Sequence, residues 1–165
     1  MHNAVIVDAI RTPLGKRNGR LKEWHPVDLA AQTLKALVER NDFDPALIDD
    51  VIMGCVMQVG EQSLNVGRNA VLAAGLPETI PGTTIDRQCG SSQQATSLAA
   101  SLVGSGVVDV ALACGVEVMS RVPIGAGELI NLVTIPIDRC SKPKQPELSK
   151  IHVNSRCLRT VRDSG

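Results

Sequence analysis

Ile80-Pro81-Gly82-Thr83-Thr84-Ile85-Asp86-Arg87-Gln88-Cys89-Gly90-Ser91-Ser92-Gln93-Gln94-Ala95 decides how this chain is read. A Pro-Gly break followed by β-branched residues marks a short strand, and after Cys89 the pattern changes to one of small residues. Ala95, Leu98, Ala99, Leu102 and Val103 recur at three- and four-residue spacing with Ser, Thr and Ala between them. That spacing predicts a helix able to pack closely on nearly every face. Gly104-Ser105-Gly106 ends it, and the run Val107 to Gly115 is almost continuously apolar, as in a strand covered on both faces. Cys89 therefore stands between a strand and the start of an interior helix. Free backbone N–H groups and the positive end of the helix dipole meet there, and both favour negative charge on a sulfur or on an oxyanion beside it. Cys89 is the candidate nucleophile. The competing reading is a small buried hydrophobe that only packs.

Working outward, strands and helices alternate. A first strand begins almost at Met1, and the basic loop Arg11-Thr12-Pro13-Leu14-Gly15-Lys16-Arg17-Asn18-Gly19-Arg20 follows it. The loop lacks the Gly-Lys-Ser/Thr ending of a P-loop, so it reads as a solvated connection and not a phosphate cradle. Val27, Ala30, Ala31, Leu34, Leu37 and Val38 mark one side of an amphipathic helix opened near Pro26. Val51 to Val56 is a second buried strand, and Val66 to Leu76 a second helix closed by Gly75 and Pro77. The class is α/β, layered, with a largely parallel or mixed sheet.

Composition narrows the function. A chain of 165 residues buries one respectable core. Its aromatic residues are Trp24 and Phe43, too few to stack single-stranded nucleic acid, and 17 basic residues balance 17 acidic ones, so neither nucleic acid nor a membrane surface is an expected partner. No apolar run approaches a membrane span, and a soluble cytoplasmic protein is the expectation. The five cysteines show no disulfide framework and no Cys-x-x-Cys metal spacing. Cys55 and Cys114 lie in apolar strand runs and read as packing residues. His25, between Trp24 and Pro26, has no partner in the sequence to make it a base and reads as a packing residue where the helix begins. Glu117 follows a buried strand and reads as a structurally hydrogen-bonded carboxylate, and Met119 as an apolar gap-filler.

The chain resembles the thiolases, the acetyl-CoA acyltransferases. The match is carried by Ala4-Val5-Ile6-Val7-Asp8-Ala9-Ile10-Arg11-Thr12-Pro13-Leu14-Gly15-Lys16, Asn65-Val66-Gly67-Arg68-Asn69-Ala70, Arg87-Gln88-Cys89-Gly90-Ser91-Ser92 and Gly115-Val116-Glu117-Val118-Met119-Ser120, in the family's order. Asp86 stands where the family often has Asn, and Gly90 where Ser or Ala is common. The resemblance implies a thiolase-like layered fold: residues 1–127 as an N-terminal βαβαβαβ half with a mixed sheet and a buried helix after Cys89, residues 128–165 as an irregular tail without family motifs. The change of composition after Gly127 has two explanations, a genuine short tail or a frame change or altered exon that replaced the family's remaining sequence, and the second is the expectation.

By the same resemblance, the Cys89 thiolate attacks a 3-oxoacyl-CoA, acetyl-CoA leaves, and a second CoA takes the shortened acyl group; in reverse this is a Claisen condensation. Acyl-CoA and CoA are the implied partners, with no metal or resident cofactor, and a homo-oligomer forms through the strand at Thr83 to Asp86. The family's Gly-His-Pro, second-cysteine and Asn-Glu motifs do not occur in these 165 residues. The expectation is a poor thiolase when the chain acts alone. The alternatives are a catalytically silent fragment that binds acyl-CoA or partner subunits, and another condensing enzyme such as a ketoacyl synthase.

Overall fold

Residues 3–127 are described by a computed structural model of the chain. Helix α1 (Pro26–Asn41) starts where Pro26 needs no N–H partner and where His25 Nδ1 accepts from Val27 N at 3.3 Å; it stops at Asp42, in left-handed conformation at φ 48°. Strand β1 (Asp50–Gly54), helix α2 (Val66–Ala73), strand β2 (Gly82–Ile85), helix α3 (Ser91–Ser105) and strand β3 (Ala111–Gly115) follow in alternation. The sheet order is β2-β1-β3, with Ile52 opposite both Thr83 and Ala113.

The central strand sorts its side chains by alternation. Val51 and Met53 join Leu34, Val66, Ala70, Val71 and Leu112 in the larger core, beneath α1 and α2. Ile52 points the other way and meets Ala95 and Ala99 of α3. One sheet thus lies between two helical layers. Each fully buried aliphatic side chain here is worth about 1.5–3 kcal/mol.

One expectation is narrowed and two are corrected. The sheet, expected to be largely parallel or mixed, is parallel throughout its described strands, because each connection is a helical crossover that returns the chain to the same end of the sheet. The segment read as the first strand forms no ladder. Val5, Ile6 and Val7 are 78%, 79% and 85% exposed, the segment pairs with neither outer edge of the β2-β1-β3 sheet, and the described order is αβαβαβ. Helix α3 buries only Ser91, Ala95 and Ala99, a single stripe, because a layer lies under one of its faces alone; β3, at the sheet edge, is likewise only partly covered. The expected tail at 128–165 lies outside the described residues.

The N-terminal segment is tied down by charge. Asp8 accepts hydrogen bonds from Arg40 and from Asn41 Nδ2, the latter at 2.7 Å, and these donors, Arg40 first, hold its carboxyl down at about 2. A depressed carboxylate contributes above its unfolded value and loses that contribution as pH falls through the folded one. The tie is therefore expected to persist through about pH 4 and to break near about pH 2. A carbon-13 NMR titration of the Asp8 carboxyl checks this, and a midpoint near the ordinary value refutes it.

Candidate active site

Two glycines set the site. Gly54 and Gly115 are the last residues of β1 and β3 and face each other in register. A Cβ on Gly54 would run into the Ser92 backbone nitrogen and stand 2.5 Å from the Ser91 carbonyl carbon; one on Gly115 would meet Ser92 Oγ. Their bare backbones let the first turn of α3 settle directly on the carboxyl end of the sheet.

Asn65 and Arg68 hold β2 and the segment leading into it. Asn65 Oδ1 accepts from Arg68 N at 3.3 Å and from Thr84 Oγ1 at 2.8 Å, and its Nδ2 donates to Gly82 O at 2.8 Å. Arg68 donates to the carbonyls of Ile80 and Glu78. These contacts clamp α2 to β2, the strand that delivers Cys89.

Between β2 and α3 the chain makes a tight turn. Gln88 has φ 49°, Gly90 N donates to Arg87 O at 3.1 Å, and Ser91 Oγ accepts from Arg87 N at 2.9 Å while donating to Gln88 O at 2.6 Å. A left-handed non-glycine residue stores about 1–3 kcal/mol, here offset by the Ser91 bonds and by Asp86, which accepts from Gln88 N at 2.7 Å. The result is that Cys89 is exposed, one residue before Gly90, the N-cap of α3.

The other described cysteines differ. Cys55 is 1% exposed, and burial, followed by the nearby Glu117 and Asp86 charges, pushes its thiol up to about 12. Burial alone pushes Cys114 up to about 12, and its sulfur donates to Ile52 O at 3.5 Å. Both behave as packing residues.

Glu117 is committed to structure. It accepts from Val56 N at 2.8 Å, Met57 N at 3.3 Å and Gln62 Nε2 at 2.7 Å. Gln62, entirely buried, also donates to Met57 O and accepts from Val118 N at 2.8 Å. This network joins the loop after β1 to the turn after β3. Sequence reasoning passed over Gln62; a polar residue between Gly60 and Leu64 carries no periodic signal of burial. His25 is a helix cap, remote in role from any base.

A groove of about 720 Å³ lies beside these elements, lined by the loop from Thr12 to Asn18, the first half of α1 and the turn from Gly115 to Ser120. Cys89 is not part of its wall. Met119, 54% exposed, opens onto it and does not fill a core gap. Among the described residues no group of His, Cys, Asp and Glu is placed to hold a metal ion, and no helix is long and apolar enough to cross a membrane.

The family model described as the thiolase N-terminal domain matches residues 4–154. The chain is similar to the steroid 3-ketoacyl-CoA thiolase FadA6 of Mycobacterium tuberculosis, with 52% identity over 131 residues, covering 79% of this chain and 32% of that protein. It is 48% identical over 129 residues to a 3-ketoacyl-CoA thiolase of Pseudoalteromonas translucida, covering 77% of this chain and 33% of the relative. Among solved structures it resembles the Bacillus anthracis acetyl-CoA acetyltransferase, with a TM-score of 0.69 and 45% identity over 73% of this chain and 30% of that one. The chain thus spans about a third of the length of the curated relatives it matches. An exposed cysteine at a strand-to-helix turn, set in a sheet whose strand ends are bare glycine, is the local form of a wider likeness, and the chain belongs to the thiolase family, within its N-terminal domain.

Proposed function

We propose that residues 1–127 are the nucleophile-bearing half of a thiolase-type acyltransferase, with Cys89 as the acyl carrier. The observation that carries this reading is the exposure of Cys89 at the residue before the α3 N-cap. In the degradative direction the Cys89 thiolate adds to the C3 ketone of a 3-oxoacyl-CoA. The C2–C3 bond then breaks, its electron pair goes to C2 as the acetyl-CoA enolate, and a proton supplied to C2 releases acetyl-CoA. A CoA thiolate next attacks the acyl-cysteine thioester and expels the Cys89 thiolate. CoA is a co-substrate, and the chemistry calls for no metal.

The names of the relatives support a 3-oxoacyl-CoA as substrate, and the open outer edge of β2 supports a homo-oligomer formed through Thr83 to Asp86. The ketoacyl-synthase alternative loses ground to the family match. A silent fragment remains the contrasting outcome of the test.

Incubating the 165-residue chain with acetyl-CoA and mapping peptides by mass spectrometry tests the proposal. An acetyl adduct is expected on Cys89 and is expected to vanish in Cys89→Ala. Acetoacetyl-CoA thiolysis should run at least about a hundredfold below that of a full-length relative, since the family's acid-base motifs are not in this sequence. No adduct, or one confined to another cysteine, overturns the reading.

A further inference from the structure

The basic loop, exposed along most of its length as a solvated connection would be, also forms one wall of the groove described above. Successive turns shape it: Gly19 N donates to Lys16 O at 2.8 Å, Lys22 N to Gly19 O at 3.1 Å and Trp24 N to Leu21 O at 3.2 Å. Across from it stand α1 and the turn after β3.

The groove has an apolar body. Ala30, Val116 and Val118 form a buried floor at 4%, 9% and 6% exposure, while Leu14 and Ile124 at the rim are 85% and 75% exposed. Together with Met119 they put three exposed large apolar side chains around one opening, where scattered single ones need no explanation. A volume of about 720 Å³ suits a small-molecule site.

Its charge is one-sided. Lys16 and Arg17 line the groove, and among the described residues neither has a carboxylate within ion-pair distance. Lys22, also lining it, pairs with Glu23 at 3.6 Å. The one carboxylate in the wall, Glu117, spends its oxygens on Val56 N, Met57 N and the Gln62 amide. Two unspent cations at the mouth of an apolar trough match a ligand that is itself apolar with one charged end.

We propose that this groove binds an aliphatic chain ending in an anionic head group, the head between Lys16 and Arg17 and the chain along Leu14, Val116, Val118 and Ile124. The site is separate from Cys89 and stands whether or not that cysteine carries acyl groups. A fatty carboxylate and an alkyl phosphate share the recognised chemistry.

Isothermal titration of the full chain tests the proposal, using decanoate, decyl phosphate, decanol and decyltrimethylammonium, each below its micelle concentration. At least one of the two anions is expected to bind with a Kd of roughly 1 mM or tighter. Which anion is preferred distinguishes the carboxylate from the phosphate source. Decanol should bind at least about tenfold more weakly, the cation not measurably, and added salt should weaken the anion. Lys16→Glu with Arg17→Glu is expected to weaken the anion by about tenfold or more, and so is Ile124→Glu, whose exposed position spares the core. Arg20→Glu, outside the wall, and Cys89→Ala should leave the affinity within about twofold, with unchanged circular dichroism in every variant. The proposal is overturned if neither anion binds, if decanol matches them, if the groove substitutions have no effect, or if Cys89→Ala abolishes binding.

Discussion

Iodoacetamide at about pH 7.5 modifies Cys89 about a thousandfold faster than Cys55 or Cys114 in the folded chain. The reason is both steric and acid-base. Cys89 is exposed at its turn, whereas Cys55 is 1% exposed. With their thiols pushed up to about 12, Cys55 and Cys114 present roughly one thiolate in thirty thousand molecules at that pH, and the thiolate is the species that reacts. Peptide mapping over a time course of alkylation measures the three rates separately. In concentrated urea the burial that raises the two thiols is gone, and the three rates should converge. Equal rates in the native chain would mean that Cys89 is a packing residue like the others, and the acyl-carrier proposal would lose its basis.

Gly54→Ala is expected to destabilise the chain by about 3 kcal/mol and to displace the Cys89 turn. The added methyl would occupy the space of the Ser92 nitrogen and the Ser91 carbonyl carbon, both backbone atoms at the start of α3. No rotamer change relieves that contact; the helix must move off the sheet, pulling Ala95 and Ala99 away from Ile52. Gly115→Ala offers an internal comparison, because there the methyl meets mainly the Ser92 hydroxyl, which is able to rotate. Its cost should be smaller and partly rescued by Ser92→Ala, while Gly54→Ala gains nothing from that second change. Urea denaturation of the four variants gives the free energies, and alkylation of Cys89 reports whether the turn has shifted. A Gly54→Ala variant within about 0.5 kcal/mol of the parent would show that α3 has room to spare above the strand ends.

These outcomes rest on features of unequal legibility. The apolar spacing from Val27 to Val38 and the run Val51 to Met53 were readable because each is a local pattern, one at helical and one at strand period, and α1 and β1 form where those patterns lie. The turn at Cys89 was readable for a similar reason: β-branched residues end and small residues begin within a few positions. Ala4 to Asp8 carries a strand pattern equally well, yet forms no strand, because a ladder needs a neighbour and the residues that would supply one are not determined by the segment itself. Likewise the small-residue helix α3 is packable on many faces but packed on one.

Local chemistry along the chain was enough to place the helices and strands from α1 to β3, to mark which cysteine stands at a helix start, and to show which family the motifs resemble. Only the assembled structure decided that Gly54 and Gly115 leave room for Ser92, that Gln62 and Glu117 tie two loops together, and that a basic loop walls a groove. The division is physical. Dihedral preference and periodicity act between residues a few positions apart, whereas pairing, burial and close approach join residues some forty to sixty positions apart and depend on what every other element leaves open.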